Sequence, residues 1–107
     1  MRVRVSQIQQ AICTYYGLSM AELLGGSRLR SIVRPRQMGM YLSRRYTLRS
    51  LPEIGRQFGR DHSTVVHGVH AIEALLLDDD GIERDFYAIR RLLVRIAAPI
   101  RFQRLAA

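Results

Sequence analysis

Ser50-Leu51-Pro52-Glu53-Ile54-Gly55-Arg56-Gln57-Phe58-Gly59-Arg60-Asp61-His62-Ser63-Thr64-Val65-Val66-His67 is the stretch on which the reading of this 107-residue chain turns. Ser50 and Glu53 form a capping box with Pro52 in the first turn, so a helix starts there and runs to Phe58. Gly59 supplies a turn. Asp61 then suits the N-cap of a second helix, where a carboxylate meets free N–H groups and the positive end of the dipole. Around that helix start cluster Arg60, Asp61, His62, Ser63 and Thr64, a set of donors and acceptors. A helix-turn-helix reads duplex DNA with the N-terminal end of its second helix, so the pattern points to sequence-specific double-stranded DNA binding.

Helical periodicity continues on both sides. At 100° per residue, Val65, Val69, Ile72 and Leu76 make the core face of the second helix, and Ser63, His67 and His70 point outward. Upstream, Ile8, Ala11, Ile12, Tyr15 and Tyr16 form one apolar stripe that Gly17 ends. Ser19 and Glu22 are a second capping box, opening a short helix over Ser19–Leu24. Gly25-Gly26-Ser27-Arg28-Leu29-Arg30 reads as a mobile basic loop. The next helix is expected over Val33–Tyr46, with Pro35 in its first turn, where a missing N–H does no harm. Met38, Tyr41, Leu42 and Arg45 are its inward stripe, with Arg36, Gln37, Ser43 and Arg44 outside. Downstream, Asp78-Asp79-Asp80-Gly81 breaks the chain. A last helix from about Glu83 buries Phe86, Ile89, Leu93 and Ile96, and Pro99 ends it. No strand pattern or repeat is present. The expected fold is all-α, one helix-turn-helix domain over 1–97 and a basic tail over 98–107.

Composition agrees with one soluble core: 48% apolar and 24% charged residues is ordinary for a globular chain of this length. The net charge is +8, and every basic residue is arginine. Arginine binds phosphate and guanine edges bidentately, although many small basic proteins bind no nucleic acid. The lone Cys13, set among Ile12, Tyr15 and Tyr16, reads as packing rather than as a reactive thiol, and fits a reducing cytoplasm. No run approaches the ~18 apolar residues of a membrane span.

For the cluster at the second helix, the bland reading is a plain N-cap at Asp61 with solvated histidines. The preceding capped helix and the surrounding arginines favour DNA. There, a helix N-terminus offers N–H groups to phosphate, Thr64 and His67 add phosphate bonds one turn apart, and Asp61 accepts from a cytosine amino group. Ser63 or His62 would touch a base edge. Arg28 and Arg30, beside glycines, fit an arm reaching a minor groove, although such a pair alone is more often a solvated loop. His62, His67 and His70 lack the further ligand a zinc site needs, so no metal or other cofactor is expected. Gly25-Gly26-Ser27-Arg28 has neither the spacing nor the terminal Lys-Ser/Thr of a phosphate loop, and no nucleophile–base pair is evident, so no enzymatic activity is expected.

Arg34-Pro35-Arg36-Gln37-Met38, Ser50-Leu51-Pro52-Glu53-Ile54-Gly55 and Gly59-Arg60-Asp61-His62-Ser63-Thr64-Val65-Val66-His67 closely resemble the C-terminal DNA-binding domain of the bacterial replication initiator DnaA. The resemblance covers roughly Ser6 to Arg95. It implies recognition of an asymmetric box of about nine base pairs, by a helix-turn-helix in the major groove and a basic loop in the minor groove. Carried over by position, Asp61, His62 and Ser63 face bases with Arg60 beside them, and Arg28 enters the minor groove. Arg30, Gln37, Arg44, Thr64 and His67 hold the DNA backbone, joined by the main chain at Leu51. Three positions depart from the common pattern: a single Gly59 stands for a frequent glycine pair, Gly26 for a basic loop residue, and Ser63 for threonine. Without an ATPase module the chain reads as an excised part of an initiator or as a free-standing protein, the tail beyond Ala97 favouring the latter. The expected setting is the cytoplasm at the nucleoid, with an influence on replication initiation or transcription; the oligomeric state is open, a monomer being favoured. The alternative is an adaptor that contacts the initiator or its regulators through the outer face of the last helix and the stretch Ile96–Leu105.

Overall fold

Every regular element in the computed structural model is an α-helix, and the structure describes residues 1–97. The order is α1 (Val5–Tyr16), α2 (Met20–Leu24), α3 (Arg30–Tyr46), α4 (Leu51–Phe58), α5 (His62–Asp78) and α6 (Asp80–Ala97). Ile8, Ala11 and Ile12 of the first apolar stripe are fully buried, as the spacing predicts. Gly17 ends that helix in the left-handed region, at φ 68°. Tyr15 and Tyr16 stay half-buried for a polar reason. Their hydroxyls donate to the two carboxylate oxygens of Asp85, at 2.6 and 2.9 Å, and so tie α1 to α6. Burial and then that hydrogen bond push the Tyr16 phenol well above its ordinary range.

The central helix differs most from expectation. It starts at Arg30, three residues earlier than the sequence pattern predicts, so Pro35 lies in its second turn and Arg30 belongs to the helix rather than to the loop. Nor does it have one inward stripe. Ile32, Pro35, Arg36, Met38, Gly39, Met40, Tyr41, Leu42 and Ser43 are all buried, because α1, α2, α4 and α5 surround this helix. Ser43, expected outside, is buried, and its hydroxyl donates to the Gly39 carbonyl at 2.7 Å. Arg45, expected inside, is exposed and lies across the Tyr46 and Phe86 rings, 5.5 and 5.7 Å from their centroids. Arg36, also expected outside, is buried, and its partners are described below.

Close approach to α3 requires glycine at two points. A Cβ on Gly39 would stand 3.0 Å from the Phe58 ring, and one on Gly68 would stand 3.1 Å from the Met40 sulfur. The first lets Phe58 of α4 lie directly on α3. The second brings α5 against α3. Each fully buried Ile, Leu or Phe here stabilises the fold by about 1.5–3 kcal/mol.

The acidic run breaks the helix more sharply than predicted. Only Asp79 separates α5 from α6. Its N–H donates to the Leu75 carbonyl, and its carboxylate accepts from the Ile82 N–H at 3.1 Å. One residue thus closes one helix and opens the next, and Ile82 joins Phe86, Ile89 and Leu93 in the core. The expected tail, residues 98–107, lies outside the described residues, as does the stop at Pro99.

Candidate nucleic-acid interface

Geometry at the α4–α5 turn follows from a few local bonds. Ser50 and Glu53 close the capping box in both directions: the Glu53 N–H donates to the Ser50 hydroxyl, and the Ser50 N–H donates to the Glu53 carboxylate at 3.0 Å. At the other end of α4, Gly59 adopts φ 66°. The Arg60 N–H donates to the Gly55 carbonyl at 2.8 Å, and the Gly59 N–H to that of Arg56 at 3.2 Å. These two bonds are a Schellman closure. The chain folds back so tightly that a Cβ on Gly55 would stand 2.5 Å from the Arg60 carbonyl oxygen. Sequence reasoning passed over Gly55; its place within an otherwise good helix sequence was the available signal.

Asp61 caps α5 as expected. Its carboxylate accepts from the Thr64 N–H at 3.0 Å and from the Ser63 hydroxyl at 2.6 Å. Those bonds, the hydroxyl first, hold its carboxyl below the usual carboxylate range. Asp61, His62, Ser63 and Thr64 are all exposed, and His67 is exposed one turn further on. The helix therefore offers a polar, unobstructed first turn, ionised at the cap, while Val65, Val69 and Ile72 are buried on the opposite side.

Around that turn the structure gathers some predicted residues and separates others. Gln37 is half-buried on α3, its side chain lying against Gly68 of α5. Its side-chain carbonyl accepts from Arg34 at 2.8 Å. Arg30, Arg34 and Gln37 share one face of α3 by helical spacing. Leu51, half-buried, opens α4. Arg44 is exposed near the far end of α3, beyond the buried Tyr41. Arg28 is exposed in the loop between α2 and α3. Among the described residues no three His, Cys, Asp or Glu side chains are grouped so as to hold a metal ion.

Two arginines behave differently from the rest. Arg36 is only 6% exposed. Its guanidinium donates to the carbonyls of Leu23 (2.6 Å), Gly25 (3.0 Å), Ser27 (3.2 Å) and, more weakly, Glu22 (3.4 Å). Burial, and then the charge of Arg60, lower the Arg36 guanidinium from its ordinary value. Arg60, read from sequence as standing beside the bases, directs its guanidinium instead at Gly25, donating to that carbonyl at 2.6 Å and to that of Phe58 at 3.1 Å. The loop expected to be mobile is thereby held from below and from the side.

A capped helix, a left-handed glycine turn and a second helix with an exposed polar start are shared by many proteins, and comparison narrows the field. The family model described as the bacterial dnaA protein helix-turn-helix matches residues 5–72, from the start of α1 into α5. The chain belongs to that family. Among curated relatives it is similar to the chromosomal replication initiator protein DnaA of Ruegeria pomeroyi, with 50% identity over 93 residues. The DnaA proteins of Cereibacter sphaeroides and Bartonella quintana share 46% over 93 and 98 residues. These matches cover 86–91% of this chain but 20% of each relative, so the chain spans about a fifth of their length. The DnaA family match includes α1, α2 and α3 as well as the motif; α3 packs on both α4 and α5, and α1 packs on α4. No helix among the described residues is long and apolar enough to cross a membrane.

Proposed function

We propose that this chain binds double-stranded DNA sequence-specifically at initiator-type boxes and acts in replication initiation or its regulation, at the nucleoid and without hydrolysing ATP. The observation that carries the reading is the exposed, capped first turn of α5, set on a tightly closed turn in a chain of net charge +8. That turn enters the major groove. Asp61, with lone pairs beyond those its cap uses, accepts from a cytosine amino group; His62 and Ser63 meet neighbouring base edges. Thr64, His67 and Gln37 hold phosphates, and the free N–H groups at the start of α4, near Leu51, hold another. Arg28 reads the minor groove, and Arg30 and Arg44 neutralise phosphates on either side. The printed name of the relatives, chromosomal replication initiator protein, supports the link to replication.

Fluorescence anisotropy on a labelled duplex carrying an initiator box, against a scrambled duplex at near-physiological salt, tests this. A preference of roughly a hundredfold or more is expected. Equal, salt-sensitive binding to both duplexes overturns it. One observation favours a second reading, an adaptor that contacts the initiator or its regulators: Tyr87 and Val94, seven residues apart on α6, are 49% and 46% exposed. Binding to the initiator that survives loss of DNA binding would select that reading.

A further inference from the structure

The loop that carries Arg28 is fastened by two cations, and the manner of fastening is expensive. Among the described residues, Arg36 is buried with carbonyls alone as hydrogen-bond partners, and no carboxylate accepts from it. Burying a charge costs several kcal/mol unless hydrogen bonds replace its water. Its bonds to Leu23 and Glu22 satisfy carbonyls that the short helix α2 leaves unpaired, a role any helix C-terminus offers a cation. Its bonds to Gly25 and Ser27 go further, into the loop itself. Arg60 then comes from the α4–α5 turn, 35 residues away in sequence, and donates to the same Gly25 carbonyl. Two like charges therefore share one acceptor. Capping α2 does not require the second. Gly25 permits the arrangement, because a Cβ there would stand 2.7 Å from the Ala21 carbonyl oxygen.

We infer that Arg36 and Arg60 are positioning residues that lock the Arg28 loop to the helix-turn-helix, so that the minor-groove and major-groove elements meet DNA as one rigid body. The inference rests on the DNA-binding reading above. Without the lock, the loop would have to be ordered on binding, and Arg28 would contribute little net affinity. Arg60 is the link between the two elements; Arg36 is the floor beneath the loop.

A double-mutant cycle separates this role from a general loss of structure. Box affinity is measured for the wild type, Arg28→Ala, Arg60→Gln and the pair, with Arg36→Gln as a second partner. In the wild-type background Arg28→Ala is expected to weaken box binding roughly tenfold. In the Arg60→Gln background the same change should cost under about threefold, since Arg28 is already misplaced. Backbone NMR order parameters of the free Arg60→Gln protein should fall over Gly26–Leu29 and stay unchanged in α1 and α6. This readout needs no DNA and survives any change in box preference. An equal cost of Arg28→Ala in both backgrounds, or unchanged order parameters in the loop, overturns the lock. A wild type with no box preference overturns the DNA reading instead, and the order parameters then show separately whether Arg60 holds the loop.

Discussion

Replacing Gly55 with alanine probes the geometry that aims the second helix of the motif. The missing Cβ would stand 2.5 Å from the Arg60 carbonyl oxygen and 3.3 Å from the Asp61 carbonyl carbon, whereas ordinary contact begins at 3.4 Å. The turn must therefore move by about 0.9 Å, and what must move is backbone, not the end of a flexible side chain. Overpacking of this kind costs about 1–3 kcal/mol. Loss of the Arg60 N–H bond to Gly55 adds about 1 kcal/mol, and the better helix propensity of alanine returns about 1 kcal/mol. The net loss is about 1–3 kcal/mol, which lowers Tm by roughly 5–20 °C in a domain of this size. Two other glycines calibrate the measurement. Gly26 has open space around it, and Gly26→Ala should match or slightly exceed the wild type in stability. Gly59 also has open space but sits at φ 66°, so Gly59→Ala should cost about 1–2 kcal/mol through backbone strain alone. Thermal and urea unfolding followed by circular dichroism give all three values. A Gly55→Ala protein as stable as the wild type would refute the claim that the turn is closed against that atom.

Three further outcomes are expected. Arg28→Ala should lower the slope of log affinity for box DNA against log salt by about one, and an unchanged slope would remove Arg28 from the interface. Tyr16→Phe should destabilise the protein by about 1–2 kcal/mol by removing a half-buried donor to the Asp85 carboxylate, as urea midpoints would show; no change would mean that Tyr15 alone holds α6 to α1. Acid should also act through the caps. Asp61, Glu53 and Glu22 have carboxyls held lower in the folded protein than in the unfolded chain, by the Ser63 hydroxyl and by the N–H groups of Ser50 and Ser19 respectively. Below about pH 5 the unfolded chain binds protons first, so the stability these groups give is complete above that point and is lost as pH falls through their folded values. Tm should fall as pH drops below about 5, and less steeply in Asp61→Asn; a flat profile would show that the caps do not hold the helices.

The all-α class, the caps at Ser19, Ser50 and Asp61, and the outward Ser63, His67 and His70 were legible because each depends on a few neighbouring residues. The environment of α3 was not. Ile32, Arg36, Gly39 and Ser43 lie on one helical stripe, yet only Ile32 is a large apolar residue, so hydropathy marks the stripe as solvent-facing. Burial there comes from neighbours that approach at Gly39 and from carbonyls that receive Arg36, both properties of the assembled helices. Pro35 misled for a related reason. Its preference for a first turn is local, whereas the earlier start at Arg30 leaves only the carbonyl of the exposed Ser31 without its usual donor. At the candidate site, residue types showed which groups were available; the fold showed that Arg60 faces Gly25 and that Gln37 lies next to α5.

One contact made by the first helix has a consequence for how such a module is inherited. The side-chain amide of the buried Gln9 donates to the Gln57 carbonyl at 2.9 Å, in the last turn of α4, and Ile12 lies against the same face of α3 that receives Phe58. The opening residues thus brace the motif from behind. A segment beginning at Ser50 would carry the whole helix-turn-helix and still lack the helices that hold it in place. Shuffling between proteins must therefore move the three earlier helices of scaffold together with the motif, or neither survives the transfer.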